Sequence, residues 1–369
     1  RAQNYSCNYY ILIYMIIKEL RVSNIRPYEL YSARLSPGVT IILGRNGTGK
    51  TTLLESLYYM LQGTSFKGRD RDMIALGQTK SHFLLVDESG TERRASLELQ
   101  FDDKVKKVFT IEQRNTARLP AKYRKPVVLF EPDELRLLSS SPQRRRQFFD
   151  GILCHLYPQY SIALSRYQRV VLQRNELLKH QMDAMATTWD AHLFAWDIKF
   201  TELADILIQH RRAFIATSNQ HLSRLYSNMA GSEHSVTVTY QSPLPATNYA
   251  QNLLKQLEHR RHIDAVRGYT SLGPHRDDFL VNLDSHPASE TASRGEMRTI
   301  MLAYKLLEVE LQQQTYGSNP LILMDDVFSE LDSTREQQLM DALRDYQTVI
   351  TATDLRDELK INASIITLA

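Results

Sequence analysis

The stretch Thr40-Ile41-Ile42-Leu43-Gly44-Arg45-Asn46-Gly47-Thr48-Gly49-Lys50-Thr51-Thr52 constrains this chain more than any other. An apolar strand runs into a glycine-rich turn, and the turn runs into a helical segment, Leu53 to Leu61. Gly44, Gly49, Lys50 and Thr51 fit the G-x-x-x-x-G-K-[ST] spacing of a phosphate-binding loop. Glycine lets backbone N–H groups wrap closely around a phosphate, and the helix presents its positive dipole end to the same anion. In this reading residues Gly44 to Thr52 bind a nucleoside triphosphate. Lys50 reaches the β- and γ-phosphates, and the Thr51 hydroxyl holds Mg²⁺.

A second apolar strand, Pro320 to Met324, ends in Asp325-Asp326. Ligands of parallel sheets gather at the carboxyl ends of strands. Asp325 is therefore expected to hold Mg²⁺ through water, and Asp326 to orient or deprotonate an attacking water. A third element, Ser293-Arg294-Gly295-Glu296, opens a helix of strong helix formers, with Ser293 and Glu296 spaced as a capping box. A Ser/Gly turn at a helix start is a second anion-binding end. One nucleotide cannot easily use two such ends of one head, but two heads facing each other can. Ser293 and Gly295 are thus expected to close the partner's site in an ATP-dependent dimer, or else to cap their own helix and nothing more.

Composition narrows the class. With 43% hydrophobic and 24% charged residues the chain suits an ordinary globular protein. The net charge of +3 is small, so attraction to nucleic acid has to come from local patches. The largest patch runs from Lys104 to Lys125, with eight Lys/Arg against one acidic residue. It reads either as a phosphate-backbone footprint or as a solvated sheet edge guarded by lysines. Arg69, Arg71 and Arg144 to Arg146 are further candidate phosphate contacts, the last three equally a solvated helix start or partners of nearby acids. Cys7 and Cys154 form neither a metal spacing nor a disulfide framework, which points to a reducing cytoplasm. The apolar run Tyr9 to Ile17 is too short to span a bilayer.

Taken together these motifs resemble the ABC-type ATPase head, and specifically the RecF family. Beyond the loop and Asp325-Asp326, the resemblance rests on Phe130-Glu131-Pro132-Asp133, Arg144-Arg145-Arg146 with Phe149-Asp150, Gln173 to Lys179, Gly273-Pro274-His275-Arg276-Asp277-Asp278, Ser293-Arg294-Gly295 and Val327 to Asp332. It covers most of the chain from Met15 on. Residues 1–14 have no counterpart and read as an upstream extension, with an extra strand as the competing view. The resemblance implies a cytoplasmic ATPase that dimerises on ATP and binds duplex DNA, favouring single/double-strand junctions at gaps. It also implies action with RecR and RecO to load RecA, with slow hydrolysis driving release. Asp326 stands where transporter-type heads usually have Glu; its shorter side chain suits slow turnover. Gln78 is the candidate for the Gln-loop.

The expected fold class is α/β: an ABC-type ATPase head with a phosphate loop, a mixed sheet and an inserted, mainly helical lobe. The head takes residues 15–126 and 264–369, and the helical lobe 127–263. Two rivals are an SMC-like chromosome-structural ATPase and a transporter-type subunit. The stretch between Thr51 and Ser293 is too short for the long coiled-coil arm of the first. The large helical insertion and the basic stretches speak against the second.

Overall fold

The helix after the phosphate loop is buried from Thr52 to Leu61, and a helix of that kind must be covered on every side. The computed structural model, which describes residues 16–180, 186–354 and 363–368, covers it with two sheets. The expectations for residues 1–14 and Met15 lie outside the described residues. Contacts divide the chain into two units, one running up to Asp133 and resuming at Glu308, the other from Glu134 to Leu307.

In the first unit the elements are β1 (Ile17–Ile25), β2 (Tyr28–Arg34), β3 (Val39–Leu43), α1 (Lys50–Gln62), β4 (Lys80–Asp87), β5 (Glu92–Leu99), β6 (Val105–Ile111), β7 (Arg114–Thr116) and β8 (Val127–Phe130). The second unit contains α2 (Pro142–Leu156), α3 (Pro158–Lys179), α4 (Ala186–Ala230), β9 (Val236–Gln241), α5 (Tyr249–Arg267), β10 (Asp278–Leu283), β11 (His286–Pro287), α6 (Ala288–Thr291) and the start of α7 (Arg294–Tyr316). The first unit then closes with β12 (Leu321–Asp325), α8 (Ser333–Ala342), β13 (Thr348–Ala352) and β14 (Ala363–Thr367).

Parallel and antiparallel strands of the first unit fall into separate sheets. One is five-stranded and parallel, in the order β14-β3-β13-β12-β8, and the other six-stranded and antiparallel, in the order β2-β1-β4-β5-β6-β7. Every residue of β12 and β13 is buried, as befits parallel strands covered on both faces. α1 packs against strands of both sheets. Leu53, Leu57 and Leu61 join one core with Leu20, Phe83 and Leu97 of the antiparallel sheet and Leu323 and Val349 of the parallel one. Tyr59 stacks on Phe83 and Phe109, with ring centroids 5.1 and 5.3 Å apart. The parallel register sets Asp325 beside Thr351 and Ala352 beside Leu43, so three strands end in line.

The second unit is mainly helical, but it also holds a three-stranded antiparallel sheet, β11-β10-β9. Its core stacks Phe149 on Phe279 at 4.2 Å, with Phe214 and Tyr304 edge-on to Phe149. The division between units differs from the expected one at both ends. β8 lies with the head because it pairs with β12 over four residues. Residues 264–307 lie with the helical unit because β10 pairs with β9 over six. The structure adds β2, β7, β11 and β14 to the strands that the sequence pattern predicts.

Candidate nucleotide-binding site

The loop between β3 and α1 is held by its own side chains. Lys50 Nζ donates to the carbonyls of Gly44 at 2.7 Å and Arg45 at 3.0 Å. The Thr48 hydroxyl donates to Arg45 O at 2.9 Å, and Thr48 O accepts from Tyr28 Oη at 3.2 Å. Two glycines are dictated by geometry. Gly49 has φ +97°, and a Cβ there would come within 2.8 Å of Pro27 and Tyr28. A Cβ on Gly44 would come within 2.7 Å of Thr48 Oγ1 and 3.2 Å of Leu368 O. No side chain caps the start of α1, and no acidic residue sits in its first turn. Its N–H groups and dipole therefore remain available to an anion.

Asp325 organises the far wall. Its Oδ1 accepts from the Thr51 hydroxyl at 2.7 Å and the Thr351 hydroxyl at 2.9 Å, and its Oδ2 meets Lys67 Nζ at 3.0 Å. Asp326 follows with φ +54°, a left-handed backbone uncommon for a non-glycine residue. Its N–H donates to Thr351 Oγ1 at 3.0 Å, which pins that conformation. Burial pushes the Asp326 carboxyl above the usual carboxylate range; neighbouring Lys50 works against the shift and Asp325 adds to it. A cleft of about 490 Å³ opens here, lined by Asn46, Gly47, Gly49, Lys50, Thr51 and Thr52 of the loop and helix. Arg26, Lys67, Glu131, Asp133, Asp325 and Asp326 line it as well. Arg45 and Thr48 shape the loop through the hydrogen bonds above rather than line the cleft. The Thr51 hydroxyl and Asp325 carboxylate are hard oxygen donors side by side, a set that fits Mg²⁺.

Several residues of this site were missed by the sequence reading. Lys67 lies two residues before Arg69 in a polar, basic stretch with nothing in its spacing that marks it for this site. Thr351 lies near the end of a buried strand and carries no motif that marks it for this site. Glu131 and Asp133 were seen as part of a motif without a role; their place after β8, next to β12, brings them to the same carboxyl edge. Gln78 sits exposed in the turn before β4 and is not among the residues lining the cleft.

Ser293 and Gly295 open α7 in the second unit. The capping box is formed: Ser293 N donates to Glu296 Oε2 at 2.7 Å, and Glu296 N to Ser293 Oγ at 3.2 Å. These bonds hold the Glu296 carboxyl below its usual range. Ser293 remains exposed. In the first unit Asp332 caps α8 by accepting from Arg335 N at 2.9 Å.

The segment Gly273 to Asp278 is a buried structural knot. Tyr167 Oη lies 2.7 Å from His275 Nδ1, and His275 Nε2 lies 3.2 Å from Thr270 O. A carbonyl only accepts, so Nε2 carries the proton and Nδ1 accepts from the tyrosine. Burial lowers the His275 pKa to about 4 and raises that of Asp277 to about 6. Arg211, fully buried, pairs with Asp150 at 2.8 Å and donates to Pro274 O at 2.7 Å. Of the candidate phosphate contacts, Arg145 grips Asp278 with two bonds of 3.1 and 2.5 Å, and Arg146 donates to Asp277 O at 2.7 Å. Lys104 pairs with Asp102, Lys107 with Asp70, and Arg71 with Asp103. Part of each basic cluster is therefore neutralised within the protein, while Arg144 is exposed. Among the described residues no helix is long and apolar enough to cross a membrane.

The chain resembles known proteins along most of its length. A family model described as an AAA domain matches residues 19–213. The chain is 32% identical to the DNA replication and repair protein RecF of Agathobacter rectalis, over 94% of each chain. It is 32% identical to that of Herpetosiphon aurantiacus, over 93% of this chain and 94% of the relative. A solved structure of the recombination mediator protein RecF with ATP superposes with a TM-score of 0.81 at 23% identity, covering 96% of this chain and 95% of that one. The Smc head domain of Pyrococcus furiosus superposes at 0.51 with 15% identity, covering 96% and 93%. The last two show a shared fold.

Proposed function

This chain belongs to the RecF family, and from that premise we propose that it is an ATP-dependent recombination mediator acting in DNA repair and replication. It binds ATP with Mg²⁺ in the Gly44–Thr51 cleft and forms a dimer in which Ser293 and Gly295 of each copy close the other's site. The dimer holds duplex DNA and single/double-strand junctions at gaps. With RecO and RecR it helps load RecA in the cytoplasm, and slow ATP hydrolysis releases it.

The observation that carries the ATP part is the contact of Thr51 with Asp325 across the mouth of a glycine-built loop. Bound there, Mg²⁺ would neutralise phosphate charge. The protein's own groups do the rest. Lys50, fixed on the loop, meets the phosphates; the free N–H groups of α1 cradle them; Asp326, held partly desolvated, orients the attacking water and takes its proton. The printed names of the relatives, DNA replication and repair proteins, support the repair setting. An SMC-like tether needs a long free arm. α4, with 45 residues, spans about 68 Å at 1.5 Å per residue, but it packs against α3, α5 and β9.

Fluorescent ATP binding and phosphate release test this reading. Wild type is expected to bind and slowly hydrolyse ATP, Lys50→Met to lose both, and Asp326→Asn to bind but not turn over. Equal binding by wild type and Lys50→Met would contradict it.

A further inference from the structure

Lys67 is not placed on Asp325 by chance of a long side chain. The Ser65 hydroxyl accepts from Lys67 N at 3.1 Å and Gly68 N at 3.0 Å, which folds residues 65–68 into a tight turn. The same hydroxyl donates to Glu55 on α1. Glu55 has a fully buried side chain and pairs with Arg26 at 2.6 Å. The turn that carries Lys67 is thus anchored to the helix that carries Thr51, one turn further along. At its end the ammonium sits 3.0 Å from Asp325 Oδ2, on a carboxylate only 7% exposed, while Lys67 itself is 45% exposed. The other oxygen of Asp325 is taken by the hydroxyls of Thr51 and Thr351.

We propose that Lys67 is a built-in counter-cation of Asp325 that competes with the divalent cation for this carboxylate and so sets how much Mg²⁺ the site requires. The inference rests on the nucleotide site proposed above. An ammonium and a hydrated Mg²⁺ cannot share the same carboxylate edge: they repel, and both need its lone pairs. The half-exposed Lys67 side chain can swing into solvent, whereas Asp325 is buried and tied by the Thr51 and Thr351 hydroxyls. Cation entry therefore displaces Lys67 and works against its ion pair. Lys50 is a different cation with a different task, since it bonds the loop carbonyls.

Two titrations test this on the full chain. In the first, binding of a fluorescent ATP is followed from excess EDTA to saturating Mg²⁺ for wild type, Lys67→Met and Lys67→Arg. The strength of partly exposed ion pairs sets the expected size. Lys67→Met should need about two- to five-fold less Mg²⁺ for half-saturation, Lys67→Arg about as much as wild type, and all three should bind alike in EDTA. In an Asp325→Asn background Lys67→Met should change nothing. In the second, Mn²⁺ binding to nucleotide-free protein is read by its paramagnetic resonance, and Lys67→Met should bind it more tightly by a similar factor. An unchanged Mg²⁺ and Mn²⁺ requirement in Lys67→Met overturns the proposal. Weaker binding of Lys67→Met in EDTA also overturns it, by making Lys67 a phosphate ligand. If wild type binds no nucleotide under either condition, the nucleotide site itself falls, and the Mn²⁺ titration still decides whether Lys67 competes for Asp325.

Discussion

The Thr51 hydroxyl donates to Asp325 Oδ1 across 2.7 Å, although the two residues are 274 positions apart in the chain. The parallel sheet makes that contact. β3 delivers the loop that leads into Thr51, β12 delivers Asp325, and β13 lies between them in register with both. Thr51→Ala and Asp325→Asn are accordingly expected to weaken Mg²⁺-dependent nucleotide binding by about tenfold, roughly 1.4 kcal/mol. Binding in EDTA should change much less. Calorimetry with and without Mg²⁺ checks this; equal losses in both conditions would mean the pair serves the loop's shape instead.

Lys50 separates binding from folding. Its ammonium bonds two carbonyls of the loop, so its loss leaves the local backbone less braced but uncovers no buried charge. Lys50→Met should abolish detectable ATP binding while shifting the thermal midpoint by no more than a few degrees. A large fall in midpoint would show that the lysine is structural.

His275 and Asp277 give stability opposing pH dependences. Folded Asp277 keeps its proton to about pH 6 against an ordinary 3.8, so its contribution falls as pH rises through that window. Folded His275 gives up its proton near pH 4 against an ordinary 6.5, so its contribution is lost as pH falls from about 6.5 to 4. The two slopes largely cancel between pH 4 and 6. Asp277→Asn removes the falling limb, and its urea midpoint should rise with pH across this range more steeply than that of wild type. Parallel curves would refute the assignment.

Arg211 neutralises Asp150 inside the helical unit, where Arg211 is also bonded to Tyr160, Tyr240 and Pro274 O. Removing one partner of a buried pair strands the other, at a cost of about 3–5 kcal/mol. Arg211→Met should destabilise by that order in urea unfolding, and Arg211→Met with Asp150→Leu by clearly less. Equal losses in the two variants would show that the charge pair is not what matters.

Much of this site is legible in the sequence because its chemistry is local. Gly44 and Gly49 are announced by the spacing of the loop and the helix after it, although Pro27, Tyr28 and Leu368, which crowd them, are remote in the chain. Asp325-Asp326 stands out because two carboxylates end a strand that is otherwise wholly apolar. Ser293 and Glu296 declare their capping box by spacing alone. Lys67 is different: its partner lies 258 positions away, and nothing in a basic loop says which lysine turns inward. Arg145 was open between DNA and protein for the same reason, until Asp278 was found against it. The unit boundaries slipped because a strand belongs to the sheet of its partner. Val127 to Phe130 reads the same whether it pairs with β12 or with nothing. β14 is short and half-exposed at a sheet edge, too weak a pattern to separate from a loop.

The central claim is that two copies of this chain close around ATP, each Ser293 turn completing the other's site. The most direct test is mass in solution with ATP and Mg²⁺ for wild type, Lys50→Met and Ser293→Arg, with and without gapped duplex DNA. The account predicts a dimer for wild type alone, with retention on DNA following the dimer. A wild type that stays monomeric with ATP, or a Ser293→Arg variant that dimerises normally, would contradict it.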